Sequence, residues 1–168
     1  SSCVVNCDAG LDETGLGPLV CVCTAQNAGD GKAKMSKIET VGIVGAGQMG
    51  GGIAHVSALA GYQVLLYDIS PDRIEKGIAT INGNMARQVA SGKLEESDRK
   101  AAMERIRPAA ELADLAGADL VIEAATEDET VKRKIFTQLC PLLNPEALLA
   151  TNTSSISITR LAAATDRP

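Results

Sequence analysis

The 168 residues are enough for one domain with a sizeable core and few for two. With 45% hydrophobic and 22% charged residues the chain is globular rather than disordered. A net charge of −5, three aromatic residues and no Trp exclude a protein that grips phosphate backbones or stacks bases, and a single histidine, His55, excludes multi-histidine metal sites.

Cys3, Cys7, Cys21 and Cys23 lie in the first 23 residues and only Cys140 lies beyond them. The odd count, without a basic-then-apolar leader and cleavage site, does not describe a secreted disulfide framework. The Cys3/Cys7 and Cys21/Cys23 spacings are unlike those of zinc sites, so no metal is expected. No apolar run approaches membrane-spanning length, and a reducing cytoplasm is the expected compartment.

Residues 1–34 contain no aromatic residue and no sustained period of two or 3.6, so they are expected to lack a core and to be disordered. Met35 is read as the natural start, with a leader of unknown origin before it and one domain over 35–168. From Lys37 the pattern becomes regular. Thr40 to Val44 is a β-branched, nearly all-apolar run, as expected of a strand covered on both faces. A glycine cluster follows, and then Met49, Ile53, Val56, Leu59 and Ala60 recur at helical spacing up to Gly61.

Val64 to Tyr67 reads as a second buried strand. Ser70 and Pro71 supply an N-cap and a first-turn proline for a helix to about Ala90, with Ile74, Ile78, Ile81, Met85 and Val89 on one stripe and Gly92 closing it. Glu95 to Arg105 is a charged helix that makes a hairpin with it. Ile106 to Ala109 is an edge strand, since Pro108 cannot serve a central one. Leu120 to Ala124 is a buried strand, Glu129 to Cys140 a helix stopped by Pro141, and Leu148 to Thr151 a further strand. Strands alternating with helices, without hairpin turns, predict right-handed βαβ crossovers and a mostly parallel α/β sheet.

At the end of the first of these strands, Gly45-Ala46-Gly47-Gln48-Met49-Gly50 matches GxGxxG between a predicted strand and a predicted helix. Gly45 turns the chain, Gly47 admits a pyrophosphate to the backbone, and Gly50 lets helix and strand press together. The helix N-terminus offers unpaired N–H groups and a positive dipole end to phosphates. Asp68, 23 positions after Gly45, ends the next strand, where a carboxylate accepts hydrogen bonds from ribose hydroxyls and repels a 2′-phosphate; NAD is the expected cofactor. The plainer alternative is a glycine turn with Asp68 as a helix cap.

GAGQMGGGI over Gly45 to Ile53, VIEAATE over Val121 to Glu127, and Thr151-Asn152-Thr153-Ser154-Ser155 resemble the nucleotide-binding domain of the 3-hydroxyacyl-CoA dehydrogenases. The closest match is to bacterial members acting on the four-carbon thioester, and it covers nearly all of Lys37 to Pro168. The resemblance implies a Rossmann-type doubly wound sheet with a helical hairpin insertion. It implies that Gly45, Gly47, Gln48, Met49, Gly50, Asp68 and Asn152 bind NAD, that Glu127 and Lys132 contact its nicotinamide end, and that Ser154 bonds substrate beside the nicotinamide. Read without the resemblance, Glu127 and Lys132 are an exposed helix-start charge and a solvated lysine, and TNTSS is a polar turn with Ser155 or Ser157 capping the next helix. Similar proteins hold part of coenzyme A on the hairpin, where Lys76, Arg87 and Lys93, with Arg73, Arg99 and Lys100 nearby, are the available cations; a solvated charged face is the alternative.

In the resembled family a histidine, oriented by a later glutamate, takes the hydroxyl proton. Its counterpart is expected beyond Pro168, as is the helical domain that closes over the acyl chain and forms a homodimer. The expected function is therefore the NAD-binding half of an enzyme oxidising (S)-3-hydroxyacyl-CoA to 3-ketoacyl-CoA, with these 168 residues alone inactive. The alternatives are a hydroxyisobutyrate-type dehydrogenase, which TNTSS argues against, and a non-catalytic NAD-sensing module.

Overall fold

The computed structural model describes residues 21–23, 37–153, 155–163 and 165. Within them one sheet contains β1 (Cys21–Cys23), β2 (Thr40–Val44), β3 (Gln63–Tyr67), β4 (Ile106–Ala109), β5 (Leu120–Glu123) and β6 (Leu148–Thr151), in the spatial order β1-β6-β5-β2-β3-β4. The helices are α1 (Gln48–Leu59), α2 (Pro71–Ala90), α3 (Glu96–Arg105), α4 (Glu129–Leu139) and α5 (Ile158–Ala162). Strands β2 to β6 all pair in parallel, as alternating strands and helices require.

The sheet is buried on both faces by a period-two alternation. Val41, Ile43, Val64, Leu66 and Ile122 point to one side and pack with Ile53, Ala54, Ile74, Ile81 and Met85 of α1 and α2. Val44, Val121 and Leu149 point to the other and pack with Phe136, Leu139 and Leu161 of α4 and α5. Each fully buried aliphatic side chain of this kind contributes about 1.5–3 kcal/mol.

Three local expectations change. On α1 the buried face is Gly50, Ile53, Ala54, His55 and Ala58, whereas Met49 and Val56 of the expected apolar stripe are exposed, Val56 by 62%. The Gly50, Ala54, Ala58 row, at spacing four, faces inward beside Ile53, so small residues take most of the buried face and Met49 and Val56 fall outward. Ser70 and Ser157 stand at the N-cap positions of α2 and α5, but neither side chain makes a capping bond. A 3-10 turn, Leu112–Gly117, stands where the sequence pattern predicts no element; a reciprocal box between Glu111 and Asp114 starts it, and it buries Leu115.

Residues 1–34 were expected to stay outside the fold. Instead Cys21–Cys23 forms an antiparallel strand on β6, with Cys21 opposite Thr151 and Cys23 opposite Leu149. The β6 edge has unpaired backbone groups that any extended segment satisfies. The rest of that stretch, with Cys3 and Cys7, lies outside the described residues, as does Met35.

Candidate cofactor site

Strand β2 has β3 on one side and β5 on the other: the chain winds from it through β3 to β4, then returns to its other side for β5 and β6. A crevice opens beyond the strand C-termini at such a switch point. The glycine turn, Asp68 and the 152–155 loop all follow strands that end there.

The glycine turn is built as the motif predicts. Gly45 has φ +111°, a region that side chains rarely adopt, and a Cβ there would stand 2.7 Å from the Ala124 carbonyl oxygen. At Gly50 a Cβ would fall 1.7 Å from the Gly45 carbonyl oxygen, which is why α1 can start against the strand only with glycine there. Gly47 differs: it is exposed, its φ of −73° suits any residue, and a Cβ would meet no protein atom within 4 Å. Protein packing therefore does not require glycine at 47, whereas a phosphate resting on the backbone does. The first amides of α1 have no partner within the helix, and Gln48 and Met49 are exposed on that turn.

Asp68 is 8% exposed at the end of β3. Its Oδ2 accepts the Ala46 amide of the glycine turn at 2.9 Å and its Oδ1 the Ser70 amide at 3.1 Å, with Arg73 Nη1 4.0 Å away. Asp68 is thus an anchor between the turn and the start of α2, and the N-cap position belongs to Ser70. An ionised carboxylate has about four acceptor positions, so two remain for ribose hydroxyls. These residues fit the adenosine half of a dinucleotide. Gly77 explains why α2 tolerates a mid-helix glycine: a Cβ there would stand 3.1 Å from the Ala46 carbonyl oxygen of the same turn.

At the other end, Glu127 is exposed and accepts the hydroxyls of Thr153 at 2.9 Å and Ser155 at 3.2 Å, tying the loop after β5 to the loop after β6. Ser154 lies outside the described residues. Lys132 is 0% exposed, not the solvated lysine of the plainer reading, and its Nζ donates to Glu123 at 2.5 Å and to Thr151 Oγ1 and the Asn152 carbonyl at 3.3 Å each. No bond joins Lys132 to Glu127, although one role was expected of both. Sequence reasoning assigned nothing to Glu123, the fully buried partner; the signal was an acidic residue closing an apolar strand, with a lysine nine positions on.

On the hairpin, Arg87 and Lys93 line a shallow cavity of about 380 Å³ with His55, Asn84, Gln88 and Ser91. Lys76 is exposed but is not among the lining residues, and Arg99 is engaged by Glu96 at 2.7 Å and Asn82 at 2.5 Å. A larger hollow of about 650 Å³ along α4 and Arg160 includes none of the glycine-turn residues or Asp68. Among the described residues, no helix is long and apolar enough to cross a membrane.

Fold and site together define a dinucleotide-binding domain of the Rossmann type. A profile described as the NAD binding domain of 3-hydroxyacyl-CoA dehydrogenase matches residues 40–168, and the chain belongs to that family, with NAD as its cofactor. It is 62% identical over 131 residues to a 3-hydroxybutyryl-CoA dehydrogenase of Bradyrhizobium diazoefficiens, covering 78% of this chain and 45% of that protein. It is 45% identical over 134 residues to a 3-hydroxyadipyl-CoA dehydrogenase of Escherichia coli, covering 80% of this chain and 28% of that one. The crystal structure of an (S)-3-hydroxybutyryl-CoA dehydrogenase from Ralstonia eutropha superimposes with a TM-score of 0.76 at 46% identity, over 78% of this chain and 46% of that one. The chain thus spans less than half the length of these relatives.

Proposed function

We propose that these residues form the NAD-binding half of a dehydrogenase that oxidises an (S)-3-hydroxyacyl-CoA, the four-carbon thioester in particular, to the 3-ketoacyl thioester. The observation that carries this reading is the convergence, beyond the ends of neighbouring parallel strands, of a glycine turn anchored by Asp68 and a hydroxyl-rich loop gathered by Glu127. The kinship with two proteins named 3-hydroxybutyryl-CoA dehydrogenase supplies the substrate class.

NAD, when bound, accepts the hydride. The glycine turn and the α1 N-terminus hold the pyrophosphate, Asp68 holds the adenosine ribose, and Gln48 and Met49 flank the phosphates. Glu127, Asn152 and Ser154 orient the nicotinamide end, and Ser154 hydrogen-bonds the reacting oxygen. Arg87 and Lys93, with the cavity between them, support a role for the hairpin in binding the phosphates of coenzyme A. Lys76 belongs to the same charged surface. His55 is not the proton acceptor, since it is 9% exposed and lines the hairpin cavity instead. The kinship with the dehydrogenase family implies a histidine base outside these 168 residues, and with it no turnover by these residues alone. Homodimer formation through the family's helical domain and a cytoplasmic location belong to the same proposal.

The test follows NADH consumption by acetoacetyl-CoA in protein made from the whole reading frame. NADH consumed with acetoacetyl-CoA, and none formed from NAD with a free hydroxy acid, supports the reading; the reverse preference assigns the protein to the hydroxyisobutyrate-type class. Ser154→Ala is expected to keep NADH binding and lower turnover.

A further inference from the structure

The first turn of α2 carries a guanidinium for which the NAD site has no use. Arg73 Nη1 stands 4.0 Å from Asp68 Oδ1, a long ion-pair distance, and the Arg73 side chain is 68% exposed. Asp68 does not depend on it for its position, because two backbone bonds already hold the carboxylate, from the Ala46 amide at 2.9 Å and the Ser70 amide at 3.1 Å. Among the described residues no hydrogen bond reaches the Arg73 side chain. An exposed pair of this length contributes little to stability, so the fold alone gives the guanidinium little to do.

Its placement is specific. Arg73 and Gly77 are four residues apart and share one face of α2. Gly77 is where that face meets the glycine turn, since a Cβ there would stand 3.1 Å from the Ala46 carbonyl oxygen. Arg73 therefore lies one turn nearer the crevice on the same face. The Arg73 amide donates to the Ser70 carbonyl at 3.0 Å, which brings residue 73 back over residue 70. Ser70 occupies the N-cap position, yet its hydroxyl makes no capping bond. A hydroxyl and a guanidinium thus flank the carboxylate that follows β3.

A carboxylate at this place repels a 2′-phosphate, and an arginine beside it is the residue by which dinucleotide-binding folds accommodate one. Its planar, paired donors match the oxygens of a phosphate. This chain carries both residues at once.

We infer that the site takes NADPH as a second, weaker coenzyme, with the Arg73 guanidinium binding its 2′-phosphate beside the Ser70 hydroxyl. Asp68 lowers the affinity for NADPH and Arg73 recovers part of it, so the discrimination between the two coenzymes is graded. The inference rests on the reading that the adenosine ribose lies at Asp68. Arg73 becomes a specificity-determining residue, touching the one group by which NADPH differs from NADH.

The test titrates NADH and NADPH by fluorescence into the full chain and into Arg73→Gln, at low and high salt, with thermal melting recorded for both proteins. Wild-type chain is expected to bind both coenzymes, NADPH the more weakly. In Arg73→Gln the ratio of NADH to NADPH affinity is expected to rise about tenfold, the loss of one hydrogen bond between charged groups. Added salt is expected to weaken NADPH more than NADH in the wild type, and this difference shrinks in the variant. An unchanged ratio in a variant that melts like the wild type overturns the inference. So does an equal loss for both coenzymes, which places Arg73 on the adenosine they share. Wild-type chain that binds NADH but not NADPH also overturns it, because Asp68 then excludes the phosphate outright. Wild-type chain that binds neither overturns the cofactor reading itself.

Discussion

The amide of Ala46 donates to Asp68 Oδ2 at 2.9 Å, so the carboxylate proposed to hold the ribose also fixes the backbone of the glycine turn. Under that proposal one side chain couples the phosphate and ribose parts of the site. Asp68→Ala removes both functions and leaves the Ala46 amide without its partner. A hydrogen bond to a charged group is worth about 1.5–3 kcal/mol, which corresponds to roughly ten- to hundredfold weaker NADH binding. NADPH is expected to suffer less, because the same change removes the repulsion of its 2′-phosphate. Fluorescence titration with both nucleotides reads the two effects at once; an unaltered NADH affinity refutes the role.

Gly50→Ala places a methyl group 1.7 Å from the Gly45 carbonyl oxygen, a backbone atom that cannot rotate away. Either α1 lifts from β2 or the turn reshapes. The expected cost is at least that of an overpacked core, about 1–3 kcal/mol, with loss of NADH binding in whatever folded protein remains. Thermal melting and NADH titration of the purified variant check it.

Removing one member of the buried pair is expected to be far worse than removing both. Lys132→Ala takes the counter-ion from Glu123, which stays buried on its bonds from Thr151 and the Ala125 amide, at a cost of about 3–5 kcal/mol. The apolar double replacement Glu123→Leu with Lys132→Met restores most of that stability, which chemical denaturation of the single and double variants will show. Equal midpoints for the two would contradict the network drawn from these distances.

On the exposed face of α3, the hydrogen bond from Arg99 holds the Glu96 carboxyl below its ordinary value and raises Arg99 in turn. With the folded-state value depressed, the contribution of this pair to stability is present above the unfolded-state value of Glu96 and is lost as the pH falls through the lowered folded-state value. Side-chain carbon shifts of Glu96 followed by NMR are expected to titrate below an ordinary glutamate in the wild type and to return to the ordinary range in Arg99→Gln.

Most of the architecture was legible because the strands that build it are short, apolar and separated by helices whose stripes repeat at the right period. Strand β2 and helix α2 fall where the pattern puts them, and Pro108 correctly marked β4 as an edge. The stripe on α1 misled because periodicity weighs Val56 and Met49 as apolar, while close packing selected the small row of Gly50, Ala54 and Ala58. The strand Cys21–Cys23 carries no periodic signal in three residues; the open edge of β6 recruits it. In the site, the motif spacing located the glycine turn and Asp68 directly, since each glycine answers a steric demand that is local in sequence. The Lys132 contacts were not legible. Three residues from β5, α4 and β6 come together only in the folded sheet, and sequence alone does not tell a buried lysine from a solvated one.

The most direct test of the account is at Gly47, the one glycine of the motif at which neither backbone conformation nor neighbouring atoms demand glycine. A fluorescence titration with NADH on the full chain and on Gly47→Val, alongside their melting temperatures, separates cofactor from fold. The account predicts NADH binding by the wild type and a variant that melts like the wild type but no longer binds. NADH binding of equal affinity by the two would contradict it.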